Sequence, residues 1–158
     1  MSERGFSLLE LLIVVAIILV ISAIAVPSYL HSKIAANESS AVYSIRTINT
    51  AQVTYATTYP TVGYASTLNA LAAPTSGQTS SANAGVLDSI LGCVNMPCEK
   101  SGYNFLLTGV SGSPVDDYTI QGTPVMVGTT GYRGFCSSSL NPVLFDPTGG
   151  TNCTQPLQ

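Results

Sequence analysis

The sequence has no tryptophan, a single histidine, and charged side chains at only 8% of its 158 positions. Each shortage removes a class of function. His31 is the sole imidazole and lies a turn beyond a long apolar run, so a histidine-centred triad has nothing to be built from and the ring is read as solvated. Beyond Tyr59 the basic residues are Lys100 and Arg133, against Asp88, Glu99, Asp116, Asp117 and Asp146. That balance gives no cationic surface for a phosphate backbone, and direct nucleic-acid binding by this part of the chain is not expected. The four cysteines form no C-x2-C knuckle, as a tetrahedral zinc site would want. Asp116-Asp117 lacks the spaced oxygen ligands of a calcium loop. Gly128-Thr129-Thr130-Gly131-Tyr132-Arg133-Gly134 lacks the Lys-Ser/Thr of a phosphate loop and reads as a turn. No catalytic residue, metal ligand or cofactor is expected.

What is abundant is apolar and comes early. From Phe6 to Val26 only Glu10 is ionisable, and the 21 residues would extend roughly 31 Å as a helix, the hydrocarbon thickness of a bilayer. Fifteen of them are Phe, Leu, Ile or Val, together favouring insertion by about 5–9 kcal/mol against about 3 kcal/mol for one central charge. The segment can therefore span a membrane despite Glu10. A carboxylate in such a place asks for a partner. Cleavage after Gly5 would create one, a protonated amine at Phe6 on the same helix end. A competing cut after Ala23-Ile24-Ala25, at a small-x-small signal-peptide site, would instead release a soluble exported binding domain starting at Val26.

The run Arg4-Gly5-Phe6-Ser7-Leu8-Leu9-Glu10, continuing through Pro27 to Ala35-Ala36-Asn37-Glu38, resembles the prepilin processing site of type IV pilins and of the related type II secretion pseudopilins. The resemblance covers residues 1–59 and fades beyond them. It implies cleavage after Gly5 by a prepilin peptidase, N-methylation of Phe6, and storage in the bacterial inner membrane. Assembly machinery would then build a homopolymeric cell-surface or extracellular filament serving attachment, twitching motility or DNA uptake, or the short piston of a secretion system. Glu10 takes the place of the family's assembly glutamate, which is thought to meet the Phe6 amine of a neighbouring subunit. Relatives often carry a glycine in the first half of the span. Here Ala16-Ile17-Ile18-Leu19-Val20 has none, so local helix melting in a filament rests on Pro27 alone.

The expected organisation is a leader at 1–5, a membrane and filament-core helix at 6–27, an amphipathic helix at 28–59, and a globular head at 60–158. Leu30, Ile34, Ala41, Ile45, Ile48, Gln52, Tyr55 and Tyr59 recur at helical spacing, a stripe that needs cover, and Pro60 ends the helix. Tyr29, Tyr43, Tyr55 and Tyr59 read as packing residues with polar tips and not as a charge-transfer chain. Short helices are expected at Ser66–Leu71 and Val86–Leu91, joined by the polar loop Pro74–Ser81. Tyr103–Leu107, Asp117–Gln121, Pro124–Val127 and Tyr132–Cys136 are β-prone, and Gly109, Gly112-Ser113-Pro114, Gly122 and Gly128 separate them into an antiparallel meander. The fold class is α+β, with the long helix packed on a small antiparallel sheet. An exported chain meets an oxidising compartment, and four cysteines allow three pairings. The spacing favours Cys93 with Cys98 and Cys136 with Cys153, the second closing a loop similar to the disulfide-bounded C-terminal loop of many pilins.

Overall fold

A computed structural model describes residues 6–157. Helix α1 runs Leu8–Thr58 and is continuous through Pro27. One missing amide donor removes a single rung from a 51-residue ladder and leaves the helix unbroken. The chain divides into two compact units between Lys33 and Ile34, and α1 contributes to both. In the first unit the helix buries nothing: its most apolar window has a mean hydropathy of 3.1 and is 0% buried.

In the second unit the same helix is one-sided. Ile34, Ala41, Ile45, Ile48, Ala51, Gln52 and Tyr55 are buried, as their 3.6-residue period demands. Leu30 is half exposed and Tyr59 partly buried, so the covered stripe is shorter than the sequence pattern suggests. Gln52 is tolerated in it because its amide closes both backbone groups of Ala65, donating to the carbonyl at 3.0 Å and accepting from the N–H at 2.8 Å. The last helical bond runs from Tyr59 N–H to the Tyr55 carbonyl, immediately before Pro60 removes the next donor.

The buried face rests on a six-stranded sheet of consecutive antiparallel neighbours: β1 Cys98–Lys100, β2 Tyr103–Gly112, β3 Val115–Pro124, β4 Gly134–Ser138, β5 Leu144–Asp146 and β6 Gln155–Pro156. Tyr103, Phe105 and Leu107 alternate inward on β2, Tyr118 and Ile120 on β3, and Phe135 on β4, forming one core with the helix residues. Gly122 on β3 lets the helix lie close, since a Cβ there would come within 3.2 Å of both Ile45 Cδ1 and Phe105 Cε1. The architecture is the expected α+β one.

Several local expectations are corrected. Gly109 does not separate strands but sits inside β2 at φ +62°, where the register with β3 shifts as at a bulge. Pro124–Val127 is not a strand: β3 ends at Pro124, and Val125 N–H turns back to the Gly102 carbonyl. Val86–Leu91 is not a helix, Leu87 forming a β-bridge with Ala72 and a turn following from Ser89, and of the first expected helix only α2, Leu68–Leu71, forms, with the Thr67 hydroxyl accepting from Ala70 N–H. Leu68, Leu71, Leu87 and Leu91 from this stretch nevertheless fill the core. Cys93 is bridged to Cys98 and Cys136 to Cys153, with Cα atoms 5.5 and 5.9 Å apart.

Candidate assembly site

At its start the apolar helix meets the usual problem of unpaired N–H groups. Ser7 precedes the first helical residue and Glu10 is the third, the Ser-x-x-Glu spacing of a capping box. Glu10 Oε2 accepts the Ser7 N–H at 2.9 Å, and the Ser7 carbonyl accepts Leu11 N–H at 3.2 Å as the first turn closes. The acid therefore satisfies a backbone donor one peptide unit from Phe6. Phe6 itself is 76% exposed, and Leu8, Leu9, Leu11 and Leu12 around it are exposed too. The result is an apolar helix end carrying one carboxylate and having no cover. Gly5 lies outside the described residues. Pro27 is exposed within the helix.

In the second unit the charged groups are used locally. Glu38, buried on α1, accepts Tyr132 and Arg133 N–H on Oε1 at 2.9 and 3.1 Å and the Arg133 guanidinium on Oε2, with Nε at 2.8 Å and Nη2 at 2.6 Å. The guanidinium also lies over the rings of Phe135 and Phe145, 5.6 and 5.3 Å from their centroids. Lys100 pairs with Asp88 at 3.3 Å. Burial raises the Asp88 pKa, but N–H groups of Leu91 and Ile90 together with Lys100 outweigh it and hold the carboxyl below its ordinary value. Asn49 links the helix to two strands, donating to Ser137 Oγ at 2.8 Å and accepting from Tyr118 O–H at 3.1 Å. Among the described residues no group of three or more His, Cys, Asp or Glu is placed to hold a metal.

The model of the prokaryotic N-terminal methylation motif matches residues 1–26. This chain carries that methylation motif. It is the prepilin signal shared by type IV pilins and pseudopilins, and it points to a structural subunit made as a membrane-anchored precursor, processed by a prepilin peptidase and assembled into a filament. No curated protein and no solved structure matches the chain.

The motif ends at Val26, so it contains Gly5, Phe6 and Glu10 and leaves the head uncovered. Within it, the sequence reading missed the bond from Ser7 N–H to Glu10, although Ser-x-x-Glu before an apolar run is a legible capping signal. Outside it, Glu38 and Arg133 were missed because 95 residues separate them. No local pattern announces such a pair.

Proposed function

We propose that the chain is a type IV pilin. In this reading the 6–27 segment holds the precursor in the inner membrane, cleavage after Gly5 frees the Phe6 amine for methylation, and subunits polymerise through the same segment into a surface fibre for attachment, motility or DNA uptake. The observation that carries it is the helix of the first unit, apolar over a bilayer's thickness, wholly unburied, and bearing one carboxylate at its motif end. Such a helix needs lipid before assembly and other helices after it. Glu10 would trade its own Ser7 amide for a neighbour's Phe6 amine, so that axial register is set by the penalty for leaving charge unpaired in a dry core. A head with two disulfides and a surface poor in charge suits exposure outside the cell. Two measurements test the reading. The intact mass of the mature chain should correspond to an N-terminus at methylated Phe6, whereas a start at Val26 would point to the soluble exported domain. Electron micrographs of sheared surface material should contain long fibres of this chain. Absence of fibres together with a secretion defect on deletion would assign it to a secretion pseudopilin instead.

A further inference from the structure

On the outward side of α1 in the second unit, hydroxyl groups turn inward. Ser39, Thr47, Thr50 and Thr54 each donate to the carbonyl four residues earlier, which leaves their carbon atoms toward solvent. The face is thus more apolar than its composition, with Tyr43 69% exposed and Val53 half exposed. Tyr43 and Arg46 line two surface grooves, one of about 580 Å³ running past Thr50 and Thr54 to Val86, the other of about 360 Å³ passing Val42 to Leu157. Where β3 ends, next to the wall that Glu38 and Arg133 give the second groove, Val125, Met126, Val127 and Tyr132 form an exposed apolar knob, Met126 60% exposed and Tyr132 N–H donating to Glu38. The knob is fixed by N–H groups of Thr129 and Thr130 donating to the Met126 carbonyl and by Val125 N–H on Gly102. Glu99 belongs to the same sheet end. It pairs across the strands with Asn104, which pairs with Thr123, two residues from Val125.

Charge selects the match. Glu38 with Arg133 and Asp88 with Lys100 are ion pairs, and Asp117 and Asp146 accept local hydrogen bonds. Among the described residues of this unit, Arg46, Glu99 and Asp116 have neither. Asp116 lies at the far end of β3 from the knob.

Resting on the filament reading above, we propose that successive copies of the chain dock head to head, the Val125–Val127 knob entering the neighbour's grooves beside Tyr43 and Glu99 pairing with the neighbour's Arg46. A contact that uses the knob of one copy and the groove of the next only once each is heterologous, the kind that propagates into an open helical polymer. Membrane-anchored Arg46→Glu and Glu99→Arg variants should accumulate at parental levels yet give at least about tenfold fewer sheared fibres, because like charges meet at the contact. The double reversal should restore them. Benzoylphenylalanine placed at Tyr43 should crosslink, in fibres only, the tryptic peptide Ile34–Arg46 to Ser101–Arg133 of a second copy. Parental fibre counts in both single variants, or a double reversal that stays defective, would overturn the docking while leaving the filament reading intact. Absence of fibres from the unsubstituted chain would remove the filament reading and this one together.

Discussion

Glu38 on the helix and Arg133, just before the fourth strand, form a half-buried, four-contact junction, the Glu38 side chain 8% exposed and the Arg133 side chain 42%. Every lone pair that faces the protein has a donor, which is the condition under which a buried acid is tolerated. Removing one partner strands the other, and the half-exposed guanidinium recovers part of the loss by hydration. Glu38→Ala should therefore lower head stability by about 2–4 kcal/mol. Tyrosine fluorescence during urea unfolding of the detergent-solubilised chain reads this directly, since there is no tryptophan to mask it. A loss below about 0.5 kcal/mol would mean the junction is decorative.

Two buried phenols make the head sensitive to alkali. Burial, aided by the charge on Glu38, raises Tyr103 well above the ordinary phenol value while its O–H donates to the Arg133 carbonyl at 2.8 Å. Burial, then Tyr64 and Asp117, pushes Tyr118 up to about 12. Both folded values lie above the unfolded one near 10, so the unfolded chain releases protons first as pH rises. The stability these groups contribute is complete below pH 10 and declines between 10 and 12, by on the order of 2 kcal/mol for Tyr118. The urea midpoint should fall across that window in the parent and fall less in Tyr118→Phe.

How much of this was legible follows from range. Ile34, Ala41, Ile45, Ile48 and Tyr55 declare their helix face by spacing alone, and Phe6 with Glu10 forms a motif inside one segment. Strands β5 and β6 have three and two residues, too few for alternation to register; β5 exists because β4 lies alongside it, and β6 because β5 does. Val125-Met126-Val127 has strand-forming side chains but no partner strand, so tertiary context overrides propensity there. Glu38 enters the sequence only as the end of the run Ala35-Ala36-Asn37-Glu38, with nothing local to mark a partner. Only the fold brings it to Arg133.

The C-terminal loop is held twice. Cys136 and Cys153 close it covalently across 17 residues, a constraint worth about 3 kcal/mol by loop entropy. Asp146 organises its interior, Oδ1 accepting Thr148 Oγ1–H and N–H at 2.7 and 2.9 Å and Oδ2 accepting Asn152 N–H at 3.0 Å. Those bonds, the Thr148 hydroxyl first, hold the carboxyl below its usual range. A depressed folded pKa contributes stability that is present above the unfolded value near 4 and lost as pH falls through the folded one. Amide exchange at Asn152 should therefore stay slow at pH 5 and accelerate below about 4 relative to the intrinsic rate. Reduction should speed it at either pH before the helix–sheet core responds. A non-reduced peptide map that joined Cys93 to Cys136 or Cys153 would require a different path for β6.

Glu10 can now be given two separable tasks. As the third helical residue it caps Ser7 N–H, a contribution of about 1 kcal/mol that glutamine can also make, because its side-chain carbonyl accepts the same bond. As a charge it is proposed to meet a neighbour's Phe6 amine, which glutamine cannot match. Glu10→Gln thus keeps the cap and removes the charge, while Glu10→Ala removes both. Neither change adds polarity to the span, so both proteins should accumulate in the membrane at parental levels. If charge is what assembly needs, both should yield few or no fibres. If Glu10→Gln assembled normally and Glu10→Ala did not, the cap would be the working feature. Normal fibres from Glu10→Ala would remove the assembly role altogether, leaving Glu10 as a helix-terminal hydrogen-bond acceptor that the membrane tolerates.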